Sequence, residues 1–309
     1  MSSPPNRREA IDGAAAELAA AGVESPRLEA ERLLALATGL SRSELALSAD
    51  VSLRPGQAGA LARGLSRRLG GTPLQHIEGE VEFRDLLLTC DGRALVPRPE
   101  TEQLVELVAR WSRERGAVRP ATAGGVLRVP RPGRSAALDR VLDIGTGSGA
   151  IALALAREGI AARVVALDVS ADALELAAEN RARLGLEDRV ELRPCGRSVW
   201  DAVRPGEAFD AIVSNPPYVP DEEIERLRPE VRNHEPRLAL SGGPDGLAVI
   251  REIASGTAGR LSAGGALFLE IGADQGADVR RILASSAGFR RIEIRRDLSG
   301  RERIAVAST

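Results

Sequence analysis

The sequence contains no lysine: all 42 basic residues are arginine, which excludes every lysine-based mechanism. Cysteine is scarce as well, since Cys90 and Cys195 are the only two and form neither a CxxC pair nor a metal-ligand spacing. We interpret both as buried structural thiols of a reducing compartment. The cysteines therefore give no indication of a metal site.

An excess of charge and a long apolar run are also missing. The formal net charge is −2, which provides no general basic field for nucleic acid. No stretch approaches the ~18 consecutive apolar residues of a membrane span, and residues 1–8 lack the apolar core of a secretory signal. We therefore expect a cytoplasmic protein without direct contacts to nucleic acid or membrane. A chain of 309 residues, 43% of them hydrophobic, predicts a soluble globular protein of two domains.

Residues 1–72 predict a small all-α domain. Leucine and alanine recur at helical spacing, Ser25-Pro26 and Ser41-x-x-Glu44 are typical helix starts, and Gly70-Gly71 ends the last helix. The segment has no basic stripe and no aromatic platform. We therefore interpret it as a packing or substrate-docking domain rather than a nucleic-acid-binding domain.

Residues 73–98 predict a β-hairpin linker, with Asp91-Gly92 as the turn between two extended segments. The Pro97–Glu102 turn then opens a helix, a pattern that by itself is as typical of an ordinary helix start as of a functional turn. Residues 114–137 are rich in glycine, proline, arginine and alanine without a period. We expect a mobile surface insertion there.

A glycine-rich loop, Gly145–Gly149, lies between a predicted strand and a predicted helix. Glycines let the backbone approach a ligand, and the N–H groups at the helix start point toward that ligand. Asp168 ends the next predicted strand, where its carboxylate is placed to accept both hydroxyls of a ribose. The same pattern also satisfies the dinucleotide fingerprint, so a nicotinamide-dependent oxidoreductase stays open. Asp143, ahead of the first glycine, favours a methyltransferase that binds S-adenosylmethionine.

The stretch Asn215-Pro216-Pro217-Tyr218 follows the buried apolar run Phe209–Ser214. In an open parallel sheet, ligands bind beyond the carboxyl ends of such strands. There the Asn215 side-chain oxygen and the Pro216 carbonyl can accept both protons of a planar –NH2 group and aim its nitrogen. The prolines hold the second carbonyl still, and Tyr218 can lie flat on the amide, facing a cationic methyl donor. In isolation this stretch is more often an ordinary turn, but the glycine loop upstream favours an active site.

Predicted strands and helices alternate after the insertion, with seven strands in all. The last two, Arg290–Ile294 and Arg303–Ala307, close the sheet. The sequence therefore predicts an α/β fold with a doubly wound sheet over residues 99–309.

Several of these motifs resemble the PrmC/HemK family of peptide chain release factor glutamine methyltransferases. An Asn-Pro-Pro-Tyr stretch occurs in several amino-methyltransferase families, so the combination of motifs makes the resemblance specific. It spans about residues 25–308, apart from the insertion. The stretches that carry it are Pro73–Ile77, Val96–Glu102, Asp143–Gly149, Asn215–Tyr218, Glu230–Arg232, Glu235–Leu240, Gly242–Gly246, Glu270–Gly272 and Asp297–Arg301.

The resemblance implies a Rossmann-like, seven-stranded methyltransferase domain that uses S-adenosylmethionine. It also implies methyl transfer to the side-chain amide nitrogen of the glutamine in the Gly-Gly-Gln motif of release factors, which the helical domain helps to dock. The cofactor-binding residues are then Gly145, Thr146, Gly147, Ser148, Gly149, Asp168, Trp200 and Asn215. The substrate-binding residues are Arg98, Glu100, Asn215, Pro216, Pro217 and Tyr218, of which Asn215, Pro216 and Tyr218 are assigned to catalysis. No metal is required, because the sulfonium is already an activated leaving group.

One position departs from the family pattern. Trp200 matches an aromatic residue beside the adenine, with an ordinary core tryptophan as the alternative. The family often has an acid just before this aromatic, where this chain has Val199, so backbone or Asp201 must then accept the adenine amine. We interpret His76 and His234 as structural, since neither has a partner carboxylate or serine at a suggestive spacing.

Four other functions stay open. A DNA or RNA amino-methyltransferase would use the same loop on a flipped base, but the charge of −2 and the helical domain supply no basic face for it. A ribosomal-protein glutamine methyltransferase differs only through the amino-terminal domain. A nicotinamide-dependent oxidoreductase and a catalytically silent scaffold that binds the cofactor complete the set.

Overall fold

The computed structural model describes residues 4–118, 138–196 and 198–309. These residues group into two compact units, Met1–Glu80 with Arg228–His234 and Val81–Leu227 with Glu235–Thr309. A short segment from late in the chain thus belongs with the helical unit, and the predicted linker divides between the two. The domain boundaries drawn from the sequence stay predictions.

Short helices build the first unit, as its alanine- and leucine-rich sequence predicts. They are α1 (Arg7–Ala20), α2 (Pro26–Thr38), α3 (Arg42–Leu47), α4 (Pro55–Leu69) and α5 (Leu74–Glu78). The predicted capping box forms: the Ser41 hydroxyl accepts the N–H of Glu44 at 3.2 Å, and the Glu44 carboxylate accepts the N–H of Ser41 at 2.8 Å. Pro26 begins α2 as expected, although Ser25 makes no side-chain cap bond.

Arg68 provides a buried charge in this unit. Its guanidinium binds the carboxylates of Glu29 at 2.5 Å and Glu230 at 2.9 Å, and the arginine is only 9% exposed. Glu230 lies in a short helix, Pro229–Arg232. The ion pair therefore explains why this distant segment is grouped with the amino-terminal helices.

The hairpin lies within the predicted linker but at a different place. Strands β1 (Glu80–Phe83) and β2 (Leu86–Thr89) pair, and Arg84 in the turn between them has φ +51°. The chain does turn at Asp91-Gly92, where Asp91 Oδ1 accepts the N–H of Arg93 at 3.0 Å, but the prediction that this is the hairpin turn is wrong, because residues 90–98 contain no strand. The observed register buries four apolar side chains, which are Val81, Phe83, Leu86 and Leu88.

A seven-stranded sheet forms the second unit and confirms the predicted fold class. Its strands are β3 (Leu138–Ile144), β4 (Ala161–Asp168), β5 (Val190–Pro194), β6 (Phe209–Ser214), β7 (Leu261–Glu270), β8 (Arg291–Arg296) and β9 (Glu302–Ser308). Their order across the sheet is β5-β4-β3-β6-β7-β9-β8. Strands β3 to β7 are parallel, and β9 is antiparallel to both β7 and β8.

Further helices cover both faces of this sheet or connect its strands. They are α6 (Pro99–Val118), α7 (Ala150–Arg157), α8 (Ala171–Leu184), α9 (Pro229–Arg232, part of the first unit), α10 (Arg237–Leu240), α11 (Ala248–Thr257) and α12 (Gly276–Ser285). Three 3-10 helices complete the set, at Val199–Ala202, Asp221–Arg226 and Ala258–Arg260. Central strands contribute apolar side chains to a core on each face, as expected for a covered parallel sheet.

The predicted insertion begins inside a helix, because α6 continues through residues 114–118. Residues 119–137, the rest of the predicted insertion, lie outside the described residues. No helix in the described ranges has both the length and the hydrophobicity needed to cross a membrane.

The strand order reverses at β3, which has β4 on one side and β6 on the other. Ligands bind at such a switch point, beyond the carboxyl ends of the strands. The glycine loop follows β3, Asp168 ends β4, and Asn215 follows β6. The topology therefore brings the three main sequence motifs to one edge of the sheet.

Candidate active site

A cavity of about 280 Å³ lies at the carboxyl ends of β3, β4 and β6. The residues predicted for the site that line it are Arg98, Gly145, Thr146, Gly147, Ser148, Asp168, Asn215, Pro216 and Pro217. Those that do not line it are Glu100, Gly149, Trp200 and Tyr218. The fold thus gathers the glycine loop, the acid after β4 and the Asn-Pro-Pro stretch around one cavity.

The glycine loop is anchored to the end of β4. Gly145 and Thr146 both donate their backbone N–H to the Leu167 carbonyl, at 2.8 and 2.9 Å. Gly145 and Gly147 have φ values of +72° and +56°, which glycine adopts without strain. Gly149 is the residue before α7, has φ +86°, and a Cβ there would lie 2.9 Å from a leucine of that helix. Gly149 therefore serves close packing, whereas Gly145 and Gly147 form part of the cavity wall.

Asp168 is buried beside the cavity and held by two backbone donors. The N–H of Gly147 binds Oδ2 at 2.8 Å, and the N–H of Ser170 binds Oδ1 at 2.9 Å. Burial raises the pKa of Asp168, while these backbone hydrogen bonds lower it. A carboxylate has about four acceptor sites, so Asp168 retains acceptor capacity toward the cavity.

Asp143 acts on the cavity only through its neighbour. Its side chain is fully buried and accepts the hydroxyl of Thr146 at 2.7 Å. Burial raises the pKa of Asp143 to about 7. Asp143 therefore holds the glycine loop through Thr146, on the side away from the cavity, and does not itself line the cavity.

Asn215 joins a chain of buried hydrogen bonds. Its Nδ2 donates to the Thr101 hydroxyl at 3.1 Å, and that hydroxyl donates to Oε2 of Glu270 at 2.7 Å. Glu270 is 1% exposed, and burial raises the pKa of its carboxyl to about 7. One of the two N–H groups of Asn215 is thus used and its nitrogen end points to Thr101, which leaves its oxygen available as an acceptor.

The Asn-Pro-Pro-Tyr loop is braced by the glycine-rich stretch Gly242–Gly246. The N–H of Gly242 donates to the Val219 carbonyl at 2.9 Å. Gly246 has φ +73°, and a Cβ there would lie 2.4 Å from the Tyr218 carbonyl oxygen. The two backbones approach so closely that only glycine fits at position 246, which explains the glycine there.

The Tyr218 side chain faces the core rather than the cavity. Its ring packs against the apolar core beneath α11 and α12, and burial raises the pKa of the phenol to about 12. Its carbonyl accepts Nε2 of Gln275 at 2.9 Å. The phenol is therefore neutral at physiological pH, and its stacking on a substrate amide stays a prediction.

Arg98 places a cation at the cavity wall. Its guanidinium binds Oε1 of Glu235 at 2.5 Å, and the Glu235 side chain is 1% exposed. Glu100, in the same turn, is half-buried outside the lining. The assignment of Arg98 and Glu100 to substrate binding stays a prediction.

Comparison with known proteins decides the family. The chain is 41% identical over 302 residues to a release factor glutamine methyltransferase of Moorella thermoacetica, covering 97% of each chain. It is 40% identical over 287 residues to that of Agrobacterium fabrum, covering 93% of this chain and 92% of the relative. The chain belongs to the release factor glutamine methyltransferase family. Family models described as the PrmC N-terminal domain and the methyltransferase small domain match residues 9–79 and 133–230, which confirms the resemblance drawn from the motifs.

A solved structure shows the same fold. The hMettl16 catalytic domain, in complex with the MAT2A 3′UTR hairpin 6, matches with a TM-score of 0.54 at 15% identity, covering 79% of this chain and 81% of that chain. At this identity the likeness concerns the fold alone. It confirms the predicted Rossmann-like methyltransferase architecture.

Trp200 is half-buried and packs against the core of the second unit. Its indole N–H donates to the Glu252 carbonyl at 2.9 Å, and the Arg260 guanidinium lies 4.6 Å from the ring centroid. Val199, the departure noted in the sequence, lines the cavity in its place. Trp200 does not line the cavity, and the adenine contact assigned to it stays a prediction.

Glu252 is an acid beside the cavity that sequence reasoning missed. Its Oε1 accepts the N–H of Val199 at 2.9 Å and the hydroxyl of Ser198 at 2.8 Å. Asp201, the expected substitute acid, accepts the N–H of Ser198 at 3.1 Å and does not line the cavity. No motif marks Glu252 in the sequence, because it is simply one of two charged residues, beside Arg251, on the polar face of the amphipathic helix α11.

Thr101 and Glu270 were missed as members of the site, although both lie in stretches that carry the family resemblance. The available signal was Glu270 itself, a carboxylate directly after the buried run Ala266–Leu269. A polar residue at the end of a parallel strand marks the ligand-binding edge of the sheet. The threonine had no comparable signal.

Gly256→Ala is expected to destabilise the second unit. A Cβ at this position would lie 2.3 Å from Nε1 of Trp200, so the indole must leave its hydrogen bond to the Glu252 carbonyl. Overpacking of this kind costs about 1–3 kcal/mol, measured by urea denaturation followed by tryptophan fluorescence. In Gly259→Ala the new Cβ meets no atom within 4 Å, so this control should match the parent. Equal midpoints for both variants would contradict the packing of Trp200.

Proposed function

We propose that this protein transfers a methyl group from S-adenosylmethionine to the side-chain amide nitrogen of the glutamine in the Gly-Gly-Gln motif of peptide chain release factors. The observation that carries the proposal is the position of Asn215, an oxygen acceptor beside a proline-held carbonyl at a cavity walled by the glycine loop. Family membership supports the reaction and the class of substrate.

The residues around the cavity suit S-adenosylmethionine. Gly145 and Gly147 leave bare backbone along one wall, and the remaining acceptor capacity of Asp168 suits the two hydroxyls of a ribose. Val199 offers an apolar surface and Glu252 a carboxylate for an adenine and its amine. When bound, the cofactor supplies a methyl group on a sulfonium, which is already activated for transfer.

Asn215 and Pro216 then orient the substrate. An amide nitrogen is a poor nucleophile because its electrons are delocalised into the carbonyl. Two acceptors, Oδ1 of Asn215 and the Pro216 carbonyl, take its two N–H groups, and these hydrogen bonds strengthen as the nitrogen becomes positive. The methylated, positively charged amide nitrogen is strongly acidic, so one of its N–H protons then leaves to water and the neutral N-methyl amide remains. The rigid prolines keep the acceptors in place, so little reorganisation accompanies the reaction.

The proposal assigns release-factor docking to the amino-terminal helical unit, as the resemblance implies. Direct contact with nucleic acid is not part of it, in keeping with the net charge of −2. A cytoplasmic location stays a prediction.

Mass spectrometry tests the proposal directly. The full chain is incubated with methyl-labelled S-adenosylmethionine and, separately, with release factor, ribosomal proteins, RNA and DNA. We expect a single added methyl on the Gly-Gly-Gln glutamine of the release factor. A label on ribosomal protein or nucleic acid alone would replace the proposed substrate, and no label on any of them would refute the activity.

Asn215→Ala is expected to lower turnover by roughly a hundredfold or more, the scale for losing one preorganised polar contact. Cofactor affinity should stay nearly unchanged, because the lost group faces the substrate amide. Steady-state kinetics and isothermal titration measure the two effects. Ser285→Ala, at an exposed serine that ends α12 in the second unit, is the control. Full activity in Asn215→Ala would remove this residue from the reaction.

Asp168→Ala is expected to weaken S-adenosylmethionine binding by about tenfold or more, because hydrogen bonds to a charged group contribute about 1.5–3 kcal/mol each. Isothermal titration measures the dissociation constant, with Asp172→Ala on the exposed start of α8 as control. Glu252→Gln in the same titration examines the adenine contact. An unchanged dissociation constant for Asp168→Ala would exclude it from the cofactor site.

A further inference from the structure

We infer that Thr101 and Glu270 are positioning residues that decide which end of the Asn215 side-chain amide faces the cavity. The inference rests on the proposed function, which requires the oxygen end of that amide to meet the substrate. It starts from the buried chain in which Asn215 Nδ2 donates to Thr101 at 3.1 Å and Thr101 donates to Glu270 at 2.7 Å.

The topology of the sheet brings these groups together. Ser214 at the end of β6 lies opposite Leu269 of β7, so Asn215 and Glu270 are the next residues along two adjacent parallel strands. Thr101 comes from the first turn of α6 and lies between them. Both Thr101 and Glu270 are nearly inaccessible to solvent, at 4% and 1% exposure.

The direction of the chain follows from donor and acceptor counting. The two ends of an asparagine amide have almost the same shape, so only their hydrogen-bond partners distinguish them. A carboxylate at Glu270 only accepts, which commits the single hydroxyl proton of Thr101 to it. The Thr101 oxygen then accepts from Asn215, and this partner must be the amide nitrogen.

The wrong orientation would oppose the reaction. A rotated Asn215 presents two N–H donors to a substrate –NH2 that also donates, and neither group finds an acceptor there. A carboxylate buried this deeply is costly unless it is compensated. Orienting the Asn215 amide through Thr101 gives a functional reason for a carboxylate at this buried position.

Protonation of Glu270 would release the constraint. A neutral carboxyl can donate to Thr101, whose hydroxyl is then free to donate to the oxygen of Asn215. Burial raises the pKa of Glu270 to about 7, and nearby charges adjust it: Arg303 and Arg98 lower it and Glu100 raises it. Activity should therefore rise with pH as Glu270 loses its proton, and fall below about pH 7.

Thr101→Val tests the inference with full-length enzyme and release factor as substrate. We expect kcat to fall about tenfold through lost orientation, with unchanged cofactor KM and dissociation constant. Thr101→Ser keeps the hydroxyl and should recover kcat to within about twofold. Thr257→Val is the matched control, since Thr257 is also buried but donates only to the Ile253 carbonyl of its own helix. Thermal melting of each variant confirms folding.

A double-mutant cycle separates positioning from a general structural role. If Thr101 acts only through Asn215, Thr101→Val should change the residual rate of Asn215→Ala by less than about twofold. Glu270→Gln should lose the part of the acid limb that Glu270 causes in the wild-type pH–kcat profile, because glutamine both donates and accepts at every pH. Any limb that remains should have a smaller amplitude and is assigned to Asp143, whose pKa burial also raises to about 7.

Three results would overturn the inference: wild-type kcat in Thr101→Val, equal losses in Thr101→Ser and Thr101→Val, or an acid limb in Glu270→Gln with the same midpoint and amplitude as in the wild type. The proposed function fails separately, if wild-type enzyme leaves the release factor unmethylated or Asn215→Ala keeps full activity. The two failures are therefore distinguishable in one set of assays.

Discussion

The candidate active site depends on the parallel register between β3 and β6. In that register Ile144 lies opposite Ser214, and the buried Ser214 hydroxyl donates to the Ile144 carbonyl at 2.7 Å. The next residues along the two strands are Gly145 and Asn215. A slip by one residue would turn every β6 side chain to the other face of the sheet. The glycine loop and the acceptor loop are therefore neighbours because the two strands are locked at their ends.

The acceptor loop is made rigid from several directions. Prolines restrict its backbone, the Gly242–Gly246 stretch passes so close that a Cβ at Gly246 would collide with it, and Gln275 binds the Tyr218 carbonyl. The chain of hydrogen bonds through Thr101 to Glu270 then holds the side chain of Asn215. Rigid acceptors suit methyl transfer to an amide nitrogen, because hydrogen-bond acceptors that are already in place need no reorganisation as the nitrogen becomes positive.

Local sequence predicted most of the fold and the centre of the site. The capping box at Ser41, the strand–glycine loop–helix at Gly145–Gly149 and the strand before Asn215 are all local signals, and all appear in the structure. The position of the hairpin was predicted wrongly because the prediction also relied on a local signal. Asp91-Gly92 is typical of a hairpin turn, but the strands form at residues 80–89, where pairing buries apolar side chains. The contacts of Trp200 with Glu252 and Arg260 carry no local signal, because these partners lie 52 or more residues further along the chain.

The sequence by itself determined the family, the order of strands and helices, and the residues of the glycine and Asn-Pro-Pro-Tyr loops, because each is encoded by adjacent residues. Tertiary structure alone decided that Thr101 binds both Asn215 and Glu270. Thr101 is 114 residues from Asn215 and 169 residues from Glu270 in the sequence. Tertiary structure also decided that Glu252 stands beside Val199 at the cavity. Such contacts arise from strand register and helix packing, which bring together side chains that no local pattern connects.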